Sequence, residues 1–301
     1  MRELEYPFDS DYILKNAKKL RRLLLAEDNG GQAGSGRLHN KIAVLGGSTT
    51  HDIIRILELF LLNQGIEPEF YESEYGLYFQ DAMFGNAKLE KFRPDVVFIH
   101  TSNRNVSFYP KPGDGKEQVE CLLEEQYRHF EAVWDRLADT YHCPVIQNNF
   151  EYPFFRLLGN QDASAVQGRI RFLTRLNERF YRYAEEHANF YINDMNYMAS
   201  AYGLDEWADP FYWHMYKYCM CMRAIPAFAN NLCHIIKAVF GKNKKALVLD
   251  LDNTLWGGIV GDDGAENLEI GQETSLGQVY AEVQGYLKAQ KEIGVMLNVN
   301  S

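Results

Sequence analysis

Asp250 and Asp252 close the apolar run Ala246-Leu247-Val248-Leu249, and Thr254 follows them. A short unbroken apolar run is the pattern of a strand buried in a parallel sheet. Side chains two residues apart on a strand share a face. Both carboxylates are therefore expected at the carboxyl edge of a sheet, where open α/β folds place their ligands. Paired carboxylates repel, and a divalent cation between them relieves that repulsion. The arrangement suits phosphoryl transfer. Asp250 would be the nucleophile on phosphorus, giving an aspartyl-phosphate. Asp252 would be the general acid for the leaving group and then the base for water. Thr254 would steady the loop and Asp252. Mg2+ would bridge Asp250, the Asp252 backbone carbonyl and the substrate phosphoryl group. A calcium loop is excluded by spacing: counting from Asp250, position six is Leu255 rather than glycine and position twelve is Gly261 rather than glutamate.

A second candidate lies near the other end of the chain. Ile42-Ala43-Val44-Leu45-Gly46-Gly47-Ser48-Thr49-Thr50 reads as a strand, a glycine turn and a helix start. Ser48 can there be a helix cap, part of an anion-binding turn or a nucleophile. Gly76 follows the next expected strand, and Asn103 the one after it. A serine, a glycine N–H and an asparagine amide converging at strand ends would make an oxyanion hole. His214 is the candidate base, with Asp209 as its orienter.

These residues need elements to position them. Residues 11–26 are expected to form an amphipathic helix, and Gly30 to Gly36 a flexible linker. Strands are expected at 41–46, 66–71, 95–100, 143–148 and 189–193. Helices fit 50–64, 85–92, 116–141 and 164–187. This alternation predicts a mostly parallel, doubly wound α/β sheet. An irregular aromatic segment and a helix near 224–239 come next. A second α/β unit then offers a strand at 246–250, a flap-like stretch at 255–270, a helix at 275–292 and a strand at 295–300. The expected division is 1–36 for helix and linker, 37–222 for the first domain, 223–245 for a connecting helix and basic linker, and 246–301 for the start of the second. So short a second unit buries little surface by itself, and the chain is expected to be a fragment of a longer protein.

The Asp-x-Asp-x-Thr pattern after an apolar strand resembles motif I of the haloacid dehalogenase (HAD) superfamily. Ser301, ending the strand Val295-Met296-Leu297-Asn298-Val299-Asn300, resembles its motif II residue, which implies contact with phosphoryl oxygens. About fifty residues separate Asp250 from Ser301 and leave no room for a cap between them. A capless, open site suits a bulky or carrier-bound substrate. The superfamily's later lysine and acidic motif would lie beyond Ser301. The stretch from Leu249 to Gly264, with Gln284, Lys288 and Gly294-Val295 downstream, is similar to the FkbH-like proteins of HAD subfamily IIIC. That resemblance implies Mg2+-dependent removal of phosphate, with loading of a glyceryl-type acyl group onto an acyl carrier protein. A substrate from surface-polysaccharide or lipid assembly is equally compatible. Residues 41–215 resemble the SGNH hydrolases, whose fold is flavodoxin-like. Gly47 and Arg104 stand where that family has aspartates, and four residues rather than two separate Asp209 from His214. Three readings follow: a phosphohydrolase or phosphotransferase through Asp250, an acyl-ester hydrolase or acyltransferase through Ser48, and a non-catalytic module that binds a carrier protein.

Composition narrows the partners. Lys+Arg total 31 against 41 Asp+Glu, a net charge of −10, which argues against nucleic acid or an anionic membrane. No apolar run is long enough to span a bilayer, and the first residues lack a signal-peptide core. Cys121, Cys143, Cys219, Cys221 and Cys233 lack metal-finger spacing and read as reduced thiols, which points to the cytoplasm. Cys219-Met220-Cys221 is expected on a half-buried helix. Phe150, Tyr152, Phe154 and Phe155 are candidates for an acyl pocket, with loop packing as the plainer role. Arg169, Arg171, Arg175 and Arg179 form a basic helical face. It would either grip phosphopantetheine or an acidic carrier, or pair with Glu178, Glu185 and Glu186 in solvent.

Overall fold

The computed structural model describes residues 1–28 and 36–300. The linker residues before Gly36, and Ser301, lie outside the described residues. Two compact units are present, Met1–Phe240 and Gly241–Ser301.

The first unit runs α1 (Ser10–Asp28), β1 (Leu38–Gly46), α2 (His51–Asn63), β2 (Ile66–Glu72), α3 (Tyr78–Met83), α4 (Ala87–Phe92), β3 (Val96–His100), α5 (Lys116–Tyr141), β4 (Val145–Asn148), α6 (Arg169–Glu186) and β5 (Phe190–Asn193). It continues through α7 (Met195–Tyr202), α8 (Leu204–Trp207), α9 (Pro210–Tyr216) and α10 (Ile225–Val239). The five strands are parallel, in the order β2-β1-β3-β4-β5. That is the flavodoxin-like order, with the direction of winding reversing between β1 and β3. The sequence dictates burial on both faces. Ile42, Val44, Val96 and Phe98 join α1, α2 and α10 in one core cluster. The alternate residues Ala43, Leu45, Val97 and Ile99 join α5 and α6 in the other.

Elements begin and end for local reasons. The Asn86 side chain accepts from the N–H groups of Lys88 and Leu89 at the start of α4. Asp194 caps α7 by accepting from Tyr197 N. Asp209 caps α9, and Pro210 occupies its first turn, where a missing N–H costs nothing. The expected division shifts in one respect. Ile13, Leu20 and Leu24 of α1 and Phe228, Leu232 and Ile236 of α10 are core residues of the first unit. Neither helix stands apart as an appendage or connector. Four short helices (α3, α7, α8 and α9) fill stretches whose apolar pattern is too short to show a helical period. Cys219-Met220-Cys221 lies in an irregular segment rather than on a helix.

The second unit contains β6 (Ala246–Leu249), α11 (Val260–Asp263), α12 (Ser275–Glu292) and β7 (Met296–Val299). β6 and β7 are parallel, as a strand–helix–strand crossover requires. Thr274 caps α12, its hydroxyl accepting from Gly277 N at 2.9 Å. Among the described residues no helix is long and apolar enough to cross a membrane.

Candidate functional site

In the second unit Asp250 is the first residue past β6. Asn300 N donates to Leu249 O at 2.9 Å, so the ends of β6 and β7 lie side by side. The Asp250 side chain is exposed, and its Oδ1 accepts only a local bond, from Leu251 N at 2.9 Å. Asp252 is held more firmly. Its Oδ1 accepts from the Trp256 indole Nε1 at 3.0 Å and from Val260 N at 3.3 Å. A tight turn makes this possible: Thr254 N and Leu255 N both donate to Leu251 O. Asn253 sits at φ 55°, and its Oδ1 accepts from Gly258 N at 3.1 Å. Gln284 on α12 anchors the loop, Nε2 to Leu255 O at 2.7 Å. Thr254 thus serves the turn through its backbone, while Trp256 and Val260 supply the donors to Asp252.

Among the described residues no group of three or more His, Cys, Asp or Glu side chains could share a cation. The pair Asp250 and Asp252 nonetheless fits Mg2+ in kind. Mg2+ takes hard oxygen ligands, commonly from one or two carboxylates, with water and substrate phosphate completing the shell. The exposed Asp250 carboxylate and the Asp252 backbone carbonyl are donors of that kind.

The first unit brings its candidates to the switch point between β1 and β3, but it does not arm them. Ser48 is 1% exposed, and its Oγ has no hydrogen-bond partner although the Cys219 thiol lies beside it. It is not a cap, since Thr50 precedes α2 and donates its own hydroxyl to Glu72 Oε1 at 2.6 Å. The expected oxyanion donors are engaged. Gly76 N donates to Gly46 O at 3.0 Å. Asn103 donates through Nδ2 to Glu151 Oε1 at 2.8 Å and through its backbone N to Glu151 Oε2 at 3.2 Å. His214 is exposed on α9, and Asp209 is occupied in capping that helix, accepting from Tyr212 N at 3.1 Å. The structure therefore gathers Ser48, Gly76 and Asn103 at one edge and places Asp209 on the cleft that Asn103 lines, while His214 makes no bond to Ser48.

Other residues, unforeseen from the sequence, surround Ser48. His100 ends β3 and is fully buried. Its Nδ1 faces Asn148 Nδ2 at 2.9 Å, and its Nε2 faces Cys219 Sγ at 3.4 Å. Asn148 has a fixed orientation: its Nδ2 also donates to Thr101 O, and its Oδ1 accepts from Asn193 Nδ2. An amide NH2 only donates, so Nδ1 of His100 accepts and Nε2 carries the proton. Cys219, His100 and Asn148 have the composition of a cysteine-protease triad with the hydrogen-bond polarity reversed. The ring has no free nitrogen to take a proton from Cys219 or Ser48. Burial drives His100 down to about 3 and the Cys219 thiol up to about 12, with the nearby Glu151 charge adding to the latter. Glu151 is itself buried, and desolvation raises it to about 8 against the bonds from Asn103 and the charge of Arg104. The signal for these residues was a set of polar side chains ending apolar strands: His100 after β3, and Gln147, Asn148 and Glu151 around the end of β4.

The basic-face arginines have partners, and the aromatic candidates divide among core, cleft and surface. Arg175 and Arg179 pair with Glu120 and Glu124 of α5, both at 2.5 Å, rather than with Glu185 or Glu186. The Arg169 guanidinium lies over the Tyr109 ring, and Arg171 donates to Ser164 O. Phe150 is fully buried, whereas Phe155 is 71% exposed. Tyr152 and Phe154 line a narrow cleft with Asn103, Arg104, Glu151, Trp213 and Cys219.

A doubly wound parallel sheet in flavodoxin-like order, with serine, glycine and asparagine at its switch edge, defines the first unit as an α/β domain. Residues 41–237 match the family described as FkbH, N-terminal domain, and the chain belongs to that family. Its fold is similar to that of the crystallised N-terminal part of BF1531 from Bacteroides fragilis, which contains a phosphatase domain and is complexed with Mg. The TM-score is 0.79 at 24% identity, covering 94% of this chain and 72% of that one. Looser likenesses include TesA (TM-score 0.44, 9% identity, 66% of this chain and 98% of that one) and the acetyl xylan esterase AlAXEase (0.42, 14%, 65% and 99%). Comparison with curated proteins yields no match.

Proposed function

We propose that this chain serves Mg2+-dependent phosphoryl chemistry through Asp250, in a protein that prepares an acyl group for transfer. The observation that carries this reading is Asp250, exposed at the carboxyl end of β6 beside the end of β7, with Asp252 fixed two residues on. Membership of the FkbH family supports it, as does the Mg-bound phosphatase domain of BF1531. The Asp250 carboxylate and the Asp252 backbone carbonyl would hold Mg2+, which when bound neutralises phosphoryl charge. Asp250 attacks phosphorus, and Asp252 delivers the proton to the departing oxygen. The substrate is a phosphorylated small molecule or a carrier-bound one, and a glyceryl-type acyl group delivered to an acyl carrier protein is the fullest form of the reading. The compartment is the cytoplasm.

The first unit is read as a recognition module rather than a serine esterase. Its donors at the switch edge are already spent on Gly46 O and Glu151, and its buried histidine is protonated on the nitrogen that faces the nucleophiles. A serine without a base is a poor nucleophile.

The test is binding of tungstate, a phosphate mimic, to the full-length protein with and without Mg2+. Binding that requires the metal and is lost in Asp250→Asn is expected. Binding that survives Asp250→Asn, or ignores Mg2+, overturns the reading. Loss of acyl-ester hydrolysis in Ser48→Ala would reinstate the esterase.

A further inference from the structure

We propose that Trp256 is a positioning residue for proton transfer by Asp252. The inference rests on the aspartyl-phosphate reading above and extends it to a residue outside the motif. Both donors to Asp252, the Trp256 indole N–H and the Val260 N–H, converge on the same oxygen, Oδ1. That leaves Oδ2 as the oxygen to exchange a proton with the substrate. The indole is held in place in turn. The Leu255 carbonyl before it accepts from Gln284 on α12, and Gly257 after it exchanges two 2.9 Å bonds with Glu269. A side chain clamped on both flanks gives Asp252 one orientation rather than several, and orientation is a large part of general-acid efficiency.

The chemistry defines what the clamp controls. Asp250 Oδ forms a bond to phosphorus as the ester P–O bond breaks. The departing oxygen keeps the electron pair and takes the proton from the Asp252 carboxylic acid, leaving an alcohol and a carboxylate. Water then attacks the aspartyl-phosphate, Asp252 takes the water proton, and inorganic phosphate leaves as Asp250 is restored. A poor leaving group needs the proton from Asp252, whereas an activated one departs without it.

The test compares phenyl phosphate with p-nitrophenyl phosphate, which share a shape and differ in leaving ability, on the full-length protein with Mg2+. Trp256→Phe keeps the ring and removes the N–H. Its kcat/KM, which reports phosphoryl transfer to Asp250 and not the later attack of water, should fall roughly tenfold or more on phenyl phosphate and change by about twofold or less on p-nitrophenyl phosphate. Val260→Pro is the second variant. It deletes the other donor at the first position of α11, where proline is tolerated and where the preceding Ile259 is already extended. It should show the same selective loss to a smaller degree. Thermal melting and Mg2+-dependent tungstate binding report whether each variant keeps its fold and its phosphate site. Equal losses on both esters, or no loss, in a variant that still binds tungstate would overturn the role of Trp256. Turnover that persists in Asp250→Asn would instead overturn the reading beneath it, so the two failures are separable.

Discussion

Glu151 makes the stability of the first unit depend on pH in an unusual direction. The carboxyl is 2% exposed, and burial raises it from 4.5 to about 8. Between those values the native state keeps a proton that the unfolded chain has released. The native state then binds more protons, so stability falls as pH rises through this window and levels off above it. At about 1.4 kcal/mol per pH unit the full loss is about 5 kcal/mol, an order-of-magnitude figure. Glu151→Gln removes the titration. It also replaces one acceptor of the Asn103 bonds with an NH2 donor, which costs about 1–2 kcal/mol. The two proteins should therefore exchange rank. The native chain is the more stable at pH 5, the curves cross near pH ~6, and the glutamine variant leads by about 3 kcal/mol at pH ~8.5. Urea unfolding followed by tryptophan emission measures this, since Trp134 and Trp207 are buried in the first unit. The difference between the two proteins cancels every other titrating group. A difference that stays constant from pH ~5 to ~9 would refute the buried, protonated carboxyl.

Further outcomes follow from the same edge. Ser48→Ala should change stability by less than about 1 kcal/mol, because the hydroxyl has no partner to lose; a larger loss in denaturant unfolding would mean a genuine bond to Cys219. The His100 ring should stay neutral, as the Nε2–H tautomer, from pH ~5 to ~9, which 15N shifts of the imidazole report directly. Gly47→Asp, which restores the residue typical of serine hydrolases, should destabilise by about 1–3 kcal/mol rather than create activity. A Cβ there would overlap the Asn105 amide, and Asn105 is pinned to Gly47 O and Ser102 N.

Much of the architecture was legible because two patterns are strong in this sequence. The unbroken apolar run Ile42-Ala43-Val44-Leu45 marks a strand buried on both faces, two residues to each, and the apolar stripe of 116–141 reproduces α5 to the residue. Asp250 and Asp252 were legible because an apolar run ends on them. What could not be read was partnership. Gly76 and Asn103 stand where oxyanion donors would, and only the folded chain shows their N–H groups turned to Gly46 O and Glu151. Cys219 and His100 lie 119 residues apart, and no local pattern announces their contact. The same holds for Trp256: its ring reads as apolar filler until its N–H is seen on Asp252.

The two edges differ in a way that bears on catalysis. An oxyanion hole needs donors left waiting for a charge that does not yet exist, and folding tends to remove such donors because an unpaired buried polar group costs stability. At the β1/β3 edge nearly every donor has found an acceptor inside the protein: Asn148 serves His100 and Thr101, Asn103 serves Glu151, and Gly76 serves Gly46. The hydroxyl of Ser48 is unspent, as is the indole N–H of Trp207 on the cleft that Asn103 and Cys219 line. Such a network specifies one rigid arrangement, which suits a surface that recognises, and it leaves little to stabilise a tetrahedral intermediate. At the β6 edge the reverse holds. Asp250 is exposed with only a local bond, while its neighbour Asp252 is fixed through one oxygen. A free nucleophile beside an oriented acid is the division of labour that phosphoryl transfer requires, and that contrast is the ground for proposing Asp250 rather than Ser48 as the nucleophile.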